Sequence, residues 1–137
     1  MNQTSAASSH VADTDHVQRY IDLYIAAWNE PDPDKRRHLL AQVMADDGGY
    51  ADPAAHLDSP AGIVAYIGDV LSSYPGARIV RTSEVDAHHQ FCRFTWRLVQ
   101  ADGKSLENSV DFVEFSAAGK IRRVTGFFGL QTPNAMA

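Results

Sequence analysis

A single cysteine, Cys92, stands in 137 residues, so no internal disulfide can form and no thiolate pair can hold a metal. Cationic side chains are few: 12 Lys and Arg against 17 Asp and Glu leave a net charge of −5. That balance argues against a nucleic-acid partner, because phosphates need a basic patch to neutralise them. The densest basic runs, Lys35-Arg36-Arg37 and Arg122-Arg123, are too short and too far apart in the chain to build one. No apolar run approaches the ~20 residues of a membrane-spanning helix. Gly48-Gly49 and Gly126 match no phosphate-binding loop. The opening, Met1 to Asp15, is rich in Ser, Ala and Thr and lacks the charged-then-apolar order of a secretion signal. A flexible tail is expected there, with a second short tail at 132–137. Between them, residues 16–131 are expected to form one domain in a reducing, cytoplasmic setting. A chain of this length buries roughly two-thirds of its unfolded surface without a disulfide or metal.

The apolar pattern that is present changes character midway. Val17, Tyr20, Ile21, Tyr24, Ile25 and Trp28 fall at i, i+3, i+4, i+7, i+8 and i+11, the stripe of an amphipathic helix. It stops at Asn29-Glu30-Pro31, since the residue before a proline avoids helical angles. Asp32-Pro33 reads as an N-cap and first helical position for a second helix through Leu39, Leu40, Val43 and Met44, ending near Asp46-Asp47-Gly48. Ser59-Pro60 repeats the signal for a third, carrying Ile63, Val64, Ile67 and Leu71 and closed before Pro75-Gly76. From Ala77 onward the period is two. Phe94, Trp96 and Leu98 alternate with Arg93, Thr95 and Arg97, and turns at Asp102-Gly103 and Ala118-Gly119 set off strands in Leu106–Ser116 and Ile121–Leu130. Helices followed by a strand meander imply an α+β fold with an antiparallel sheet. Val110, Phe112 and Glu114 share one strand face, and Ser109, Asp111, Val113 and Phe115 the other. Both faces carry large apolar groups, so helices are expected to cover one and a second copy of the chain the other.

Two carboxylates stand out. Asp111, between Val110 and Phe112 in mid-strand, is costly to bury charged. It is either paired across the sheet, to Arg93 or Arg97, or it is a pocket acid with a raised pKa. Asp52, in Tyr50-Ala51-Asp52-Pro53, is either a turn-forming Asp-Pro or a carboxylate held in an extended segment at a cavity. Tyr24 and Trp28 belong to the buried helical stripe, and a buried tyrosine hydroxyl needs a partner. His56, His88 and His89 are scattered without metal-ligand spacing, so no metal site is expected. Cys92 is expected to pack as a small apolar residue.

Taken together, Tyr-Ile-Ala-Ala-Trp-Asn at 24–29, Ala45-Asp46-Asp47, Tyr-Ala-Asp-Pro at 50–53, Val110-Asp111-Phe112 and Val124-Thr125-Gly126-Phe127-Phe128-Gly129 resemble the SnoaL-like and ketosteroid-isomerase-like proteins of the nuclear transport factor 2 superfamily. The resemblance covers roughly residues 16 to 130. It implies a cone-shaped barrel of the cystatin-like type, three N-terminal helices packed in a curved antiparallel sheet around an apolar pocket, with a homodimer formed through the outer sheet face. In ketosteroid isomerase a neutral pocket aspartic acid and a tyrosine bind an oxyanion. Carried over, the general base falls on Asp52, the oxyanion tyrosine on Tyr24, with Tyr20 as its rival, and the protonated acid on Asp111. Trp28, Ile63, Ile67, Phe94, Trp96, Leu98, Val113, Val124 and Phe128 would line the pocket. The activity implied is cofactor-independent proton transfer on a small hydrophobic carbonyl compound. Polyketide cyclases and dehydratases share the scaffold, as do non-catalytic binding modules.

Overall fold

The computed structural model describes residues 13–106 and 108–129. Helix α1, Thr14–Trp28, starts on Asp13, whose carboxylate accepts from the backbone of Asp15 and His16. Helical structure thus begins within the segment expected to be a tail; residues 1–12 and 130–137 lie outside the described part. Helix α2, Pro33–Val43, and helix α3, Pro60–Ser73, start where expected, capped by Asp32 and Ser59 with proline at the first position. Val17, Ile21, Tyr24, Ala27 and Trp28 of α1, Leu40 and Val43 of α2, and Ile63 and Ile67 of α3 form the helical side of the core.

Strand β1, Met44–Asp52, corrects the expected end of the second helix: Ala45-Asp46-Asp47 is already strand. Then come β2, Ala55–Leu57; β3, Arg78–Arg81; β4, Asp86–His88; β5, Phe91–Val99; β6, Ser109–Phe115; and β7, Ile121–Phe127. The sheet order is β2-β1-β7-β6-β5-β3, with β4 on β5. The meander β5-β6-β7 is antiparallel, but β1 runs parallel to β7. The sheet is therefore mixed, where an antiparallel one was expected, because β1 and β7 are joined by the long stretch 53–120 and not by a hairpin. It is also open, so the expected barrel is a curved sheet with two free edges. Register shifts between Met44 and Gly49 and between Glu114 and Phe115 interrupt the ladders, the kind of irregularity that bends a sheet.

The run Lys35-Arg36-Arg37 hides a structural residue. Arg36, 3% exposed, donates to the carbonyls of Glu30, Pro31 and Val64. It ties the α1–α2 turn to α3 and fixes the roof of the space between helices and sheet.

Candidate active site

Tyr50 and Asp52, two apart on β1, point to the same face. Asp52 Oδ1 accepts from the Ala54 N–H at 2.7 Å, the turn that the Asp-Pro pair suggests. Its Oδ2 accepts from two phenols, Tyr50 Oη at 2.6 Å and Tyr66 Oη at 2.8 Å. The rings of Trp28, Tyr50 and Tyr66 pack edge to face or tilted, with centroids 5.7 to 6.0 Å apart. A carboxylate offers about four acceptor positions. Three are filled among the described residues, which leaves the fourth, on Oδ1, open. Burial raises both phenols far above the ordinary tyrosine range, and their bonds to Asp52 add to it. They stay protonated and keep donating.

Asp111 lies two strands further into the sheet, on β6 beyond β7, and is 5% exposed. Its register partners are Phe94 on β5 and Gly126 on β7. No arginine reaches it: Arg93 pairs instead with Asp86 at 2.9 Å, and Arg97 points outward. Its partner is the Trp96 indole, which donates to Oδ1 at 3.0 Å. Burial pushes the carboxyl up to about 7; the Trp96 N–H opposes the rise and the charge of Asp52 adds to it. The acid is therefore largely neutral below pH 7, with its proton on Oδ2.

Gly126 explains how that carboxyl fits. A Cβ there would lie 2.7 Å from Asp111 Oδ1, 3.6 Å from Asp52 Cβ and 3.8 Å from Tyr50 Oη. Its backbone has no positive φ to demand a glycine. The glycine is needed for space, since Asp111 fills the position a side chain would take.

Tyr24 completes the inner end. Its hydroxyl is fully buried and has no hydrogen-bond partner among the described residues, although the Trp28 indole lies beside it. Burial, then the charge of Asp111, raises the phenol well above its usual value. Tyr24 and Asp111 line a cavity of about 20 Å³ together with Ile25, Trp28, Tyr50, Ile79, Phe94 and Trp96. That is room for one water or one ligand oxygen. Beyond it opens a pocket of about 460 Å³ that carries Asp52, Tyr50 and Tyr66 on its wall. Trp28, Tyr50, Ile79 and Trp96 border both spaces.

The three residues singled out from sequence thus converge on two adjoining spaces, Asp52 on the larger and Tyr24 with Asp111 on the smaller. Of the expected lining, Trp28, Trp96, Leu98 and Phe128 border the large pocket and Phe94 the small one. Ile63, Ile67, Val113 and Val124 line neither; they are buried in the surrounding core. Tyr20 stacks on His16, with ring centroids 4.2 Å apart, and lines neither space. His56, His88 and His89 are exposed and away from both, and Cys92 is buried, its thiol pushed up to about 12 by burial. Sequence reasoning missed Tyr50 and Tyr66. The Tyr50-x-Asp52 spacing signals the first; nothing local signals the second.

The comparisons agree with this architecture. A model of the SnoaL-like domain matches residues 17–124. A crystal structure from Agrobacterium tumefaciens, named as a proposed isomerase of the SnoaL-like family, is 35% identical, with a TM-score of 0.79 over 85% of this chain and 99% of that one. The chain belongs to the SnoaL-like family. More distant structures share the fold. One is a protein with a ketosteroid isomerase-like fold from Catenulispora acidiphila, in complex with trimethylamine (14% identity, TM-score 0.66, 81% of this chain and 85% of that one). Another is named as a proposed SnoaL-like polyketide cyclase from Jannaschia (12%, 0.61, 80% and 85%). No curated protein matches the sequence at a significant level.

Proposed function

We propose that this protein catalyses cofactor-independent proton transfer on a small hydrophobic carbonyl compound, as an isomerase of the ketosteroid type. The observation that carries it is the pairing of two aspartates in opposite surroundings on two adjoining spaces: Asp52 held by three donors, Asp111 dry and raised to about 7. The substrate's hydrocarbon body occupies the larger pocket and its carbonyl oxygen the small inner cavity. Asp52 Oδ1 removes a proton from the carbon alpha to the carbonyl, and the C–H electron pair moves into a C=C bond as the carbonyl becomes an enolate. Asp111 and Tyr24 donate to the enolate oxygen in a space that excludes bulk water. Asp52 then returns the proton at the gamma carbon, which gives the conjugated ketone and restores the carboxylate.

A pocket of about 460 Å³ is within the range of ligand sites, and Asp111 has no arginine partner, so burial keeps it uncharged below about pH 7. Both favour a working pocket over a filled, non-catalytic module. Isomerisation of a simple β,γ-unsaturated ketone by the wild type and by Asp52→Asn is the test. Turnover that falls by a factor of about 10²–10⁴ in the variant with binding retained is expected of a lost general base. Equal loss of binding would make Asp52 a structural residue.

A homodimer through the outer sheet face belongs to the same reading. Its support is the exposure of Phe91, Phe112 and Phe127 (48%, 43% and 52%) on that face, and sedimentation velocity tests it.

A further inference from the structure

The walls of the two spaces have an electrostatic bias that the proton-transfer reading does not use. Their titratable groups are Asp52, Asp111 and the phenols of Tyr24, Tyr50, Tyr66 and Tyr74; neither space is lined by a Lys, Arg or His. Five of the twelve cations have partners away from both spaces: Arg36 faces backbone carbonyls, Arg37 meets Asp34, Arg93 meets Asp86, Arg122 meets Glu114, and Lys120 donates to the Gln42 carbonyl. Outside the described residues, the sequence has no Lys or Arg and one basic side chain, His10. Among the described residues, Asp52 meets hydroxyl and N–H dipoles and no cation, on the wall of a pocket whose other groups are mostly aromatic and aliphatic.

Resting on the proton-transfer reading of this site, we propose that the pocket selects its substrate by charge: it takes an uncharged hydrophobic ketone, tolerates a cationic one, and rejects compounds bearing a carboxylate, phosphate or sulfate. The reasons are two. An anion entering this space would leave water for a low-dielectric cavity that holds Asp52 and offers no countercharge, and both desolvation and repulsion oppose it. A cation meets the opposite situation, with Asp52 as partner and the faces of Trp28, Tyr66, Trp96 and Phe128 around it. The net charge of −5 extends the same preference to the approach of the ligand. Free acids, phosphorylated compounds and phosphate-bearing thioesters are therefore outside the substrate range; neutral ketones and esters are inside it.

Three naphthalenes of matched size test this: 2-acetylnaphthalene, 2-naphthoate and 2-(aminomethyl)naphthalene as its ammonium ion. Binding is read by calorimetry and by the indole N–H resonances of Trp28 and Trp96, the chain's two tryptophans, both on the pocket wall. The ketone and the ammonium ion should bind, and the naphthoate should bind at least roughly tenfold more weakly than the ketone. Asp52→Asn should narrow that gap by strengthening naphthoate binding, while its indole spectrum shows that the fold is kept. Naphthoate binding equal to ketone binding, a gap unchanged in Asp52→Asn, or no binding of any of the three would each overturn the proposal. Turnover is not read here, so a protein that discriminates by charge but fails to isomerise the β,γ-unsaturated ketone would overturn the catalytic reading and leave charge selection standing.

Discussion

Asp52 and Asp111 are the same residue type, on strands separated only by β7, and the chain gives them opposite surroundings. Asp52 accepts from two phenols and a backbone N–H at the end of a strand, half-exposed on a wide pocket. Asp111 accepts one indole N–H in mid-sheet, flanked by Phe94 and Gly126. Burial stabilises the neutral form of the second, while the first keeps three donors and an open side to the pocket. On the proton-transfer reading, number of donors and access to water, not residue identity, divide the roles of base and acid. Raising one carboxyl of a pair in this way is how one site runs both halves of a proton transfer.

The contrast breaks most completely at Asp52, where amide substitution removes the only carboxylate among the described residues that line the larger pocket. The corresponding change at Asp111 should cost less. Asp111→Asn retains a donor for the enolate oxygen, so turnover is expected to fall by roughly 10- to 100-fold, short of the loss of a whole oxyanion donor. Its pH behaviour is the sharper readout. In the wild type, activity should decline as pH rises through about 7, where Asp111 loses the proton it donates; the variant should lack that limb. Stability changes with the same sign. The native carboxyl keeps its proton up to about 7, whereas the unfolded one releases it near 3.8. Between those values the native state binds more protons, so this group makes the wild type less stable as pH rises, by a few kcal/mol across the window. Asp111→Asn should remove that slope, measured as denaturant midpoints at about pH 4 and pH 8. A variant that keeps the wild-type slope would place the titration elsewhere.

Gly126 offers a way to disturb one aspartate through its seat. In Gly126→Ala the new methyl would lie 2.7 Å from Asp111 Oδ1, too close for contact, so the carboxyl must swing away from Trp96 or the strands must part. Overpacking of this kind costs about 1–3 kcal/mol. The expected signature is a shifted Trp96 indole N–H resonance and a displaced basic limb, with the Asp52 end of the pocket still binding neutral ligand. An unmoved indole resonance would mean that the carboxyl does not rest on the glycine.

Much of this was legible in the sequence, unevenly. Asp32-Pro33 and Ser59-Pro60 are local signals, and they set the starts of α2 and α3. Strand parity put Asp111 on one face with Ser109, Val113 and Phe115, because period two needs no knowledge of neighbours, and the family resemblance made that face the inner one. What local pattern could not supply was pairing. The Ala45-Asp46-Asp47 stretch became strand only because β7 runs beside it in parallel, a contact between distant segments. Arg93 and Arg97 were plausible partners for Asp111 until register was known; both alternate with the inward residues and face away from it. Trp96, read only as lining, is the partner because it sits diagonally across the β5–β6 ladder, within reach of a long side chain. Tyr66 was invisible for a similar reason, since only the packing of α3 against β1 brings its hydroxyl to Asp52.

Tyr66 also provides the gentlest test of the contrast. Tyr66→Phe removes one of three donors to Asp52 and leaves the ring that packs on Trp28 and Tyr50. A hydrogen bond to a charged acceptor is worth about 1.5–3 kcal/mol when buried, and the half-exposed position of Asp52 lets water replace part of it. The loss of stability should therefore stay near 1 kcal/mol, a drop of a few degrees in Tm for a domain of this size. The freed position on Oδ2 becomes a second acceptor for substrate, so the carboxylate is less strictly aimed through Oδ1. Turnover should fall several-fold with Kd for a neutral ketone nearly unchanged, measured by single-turnover kinetics beside calorimetry. If Tyr66→Phe instead weakened ligand binding and left turnover intact, the phenol would be a ligand contact, and the three-donor account of Asp52 would lose one of its supports.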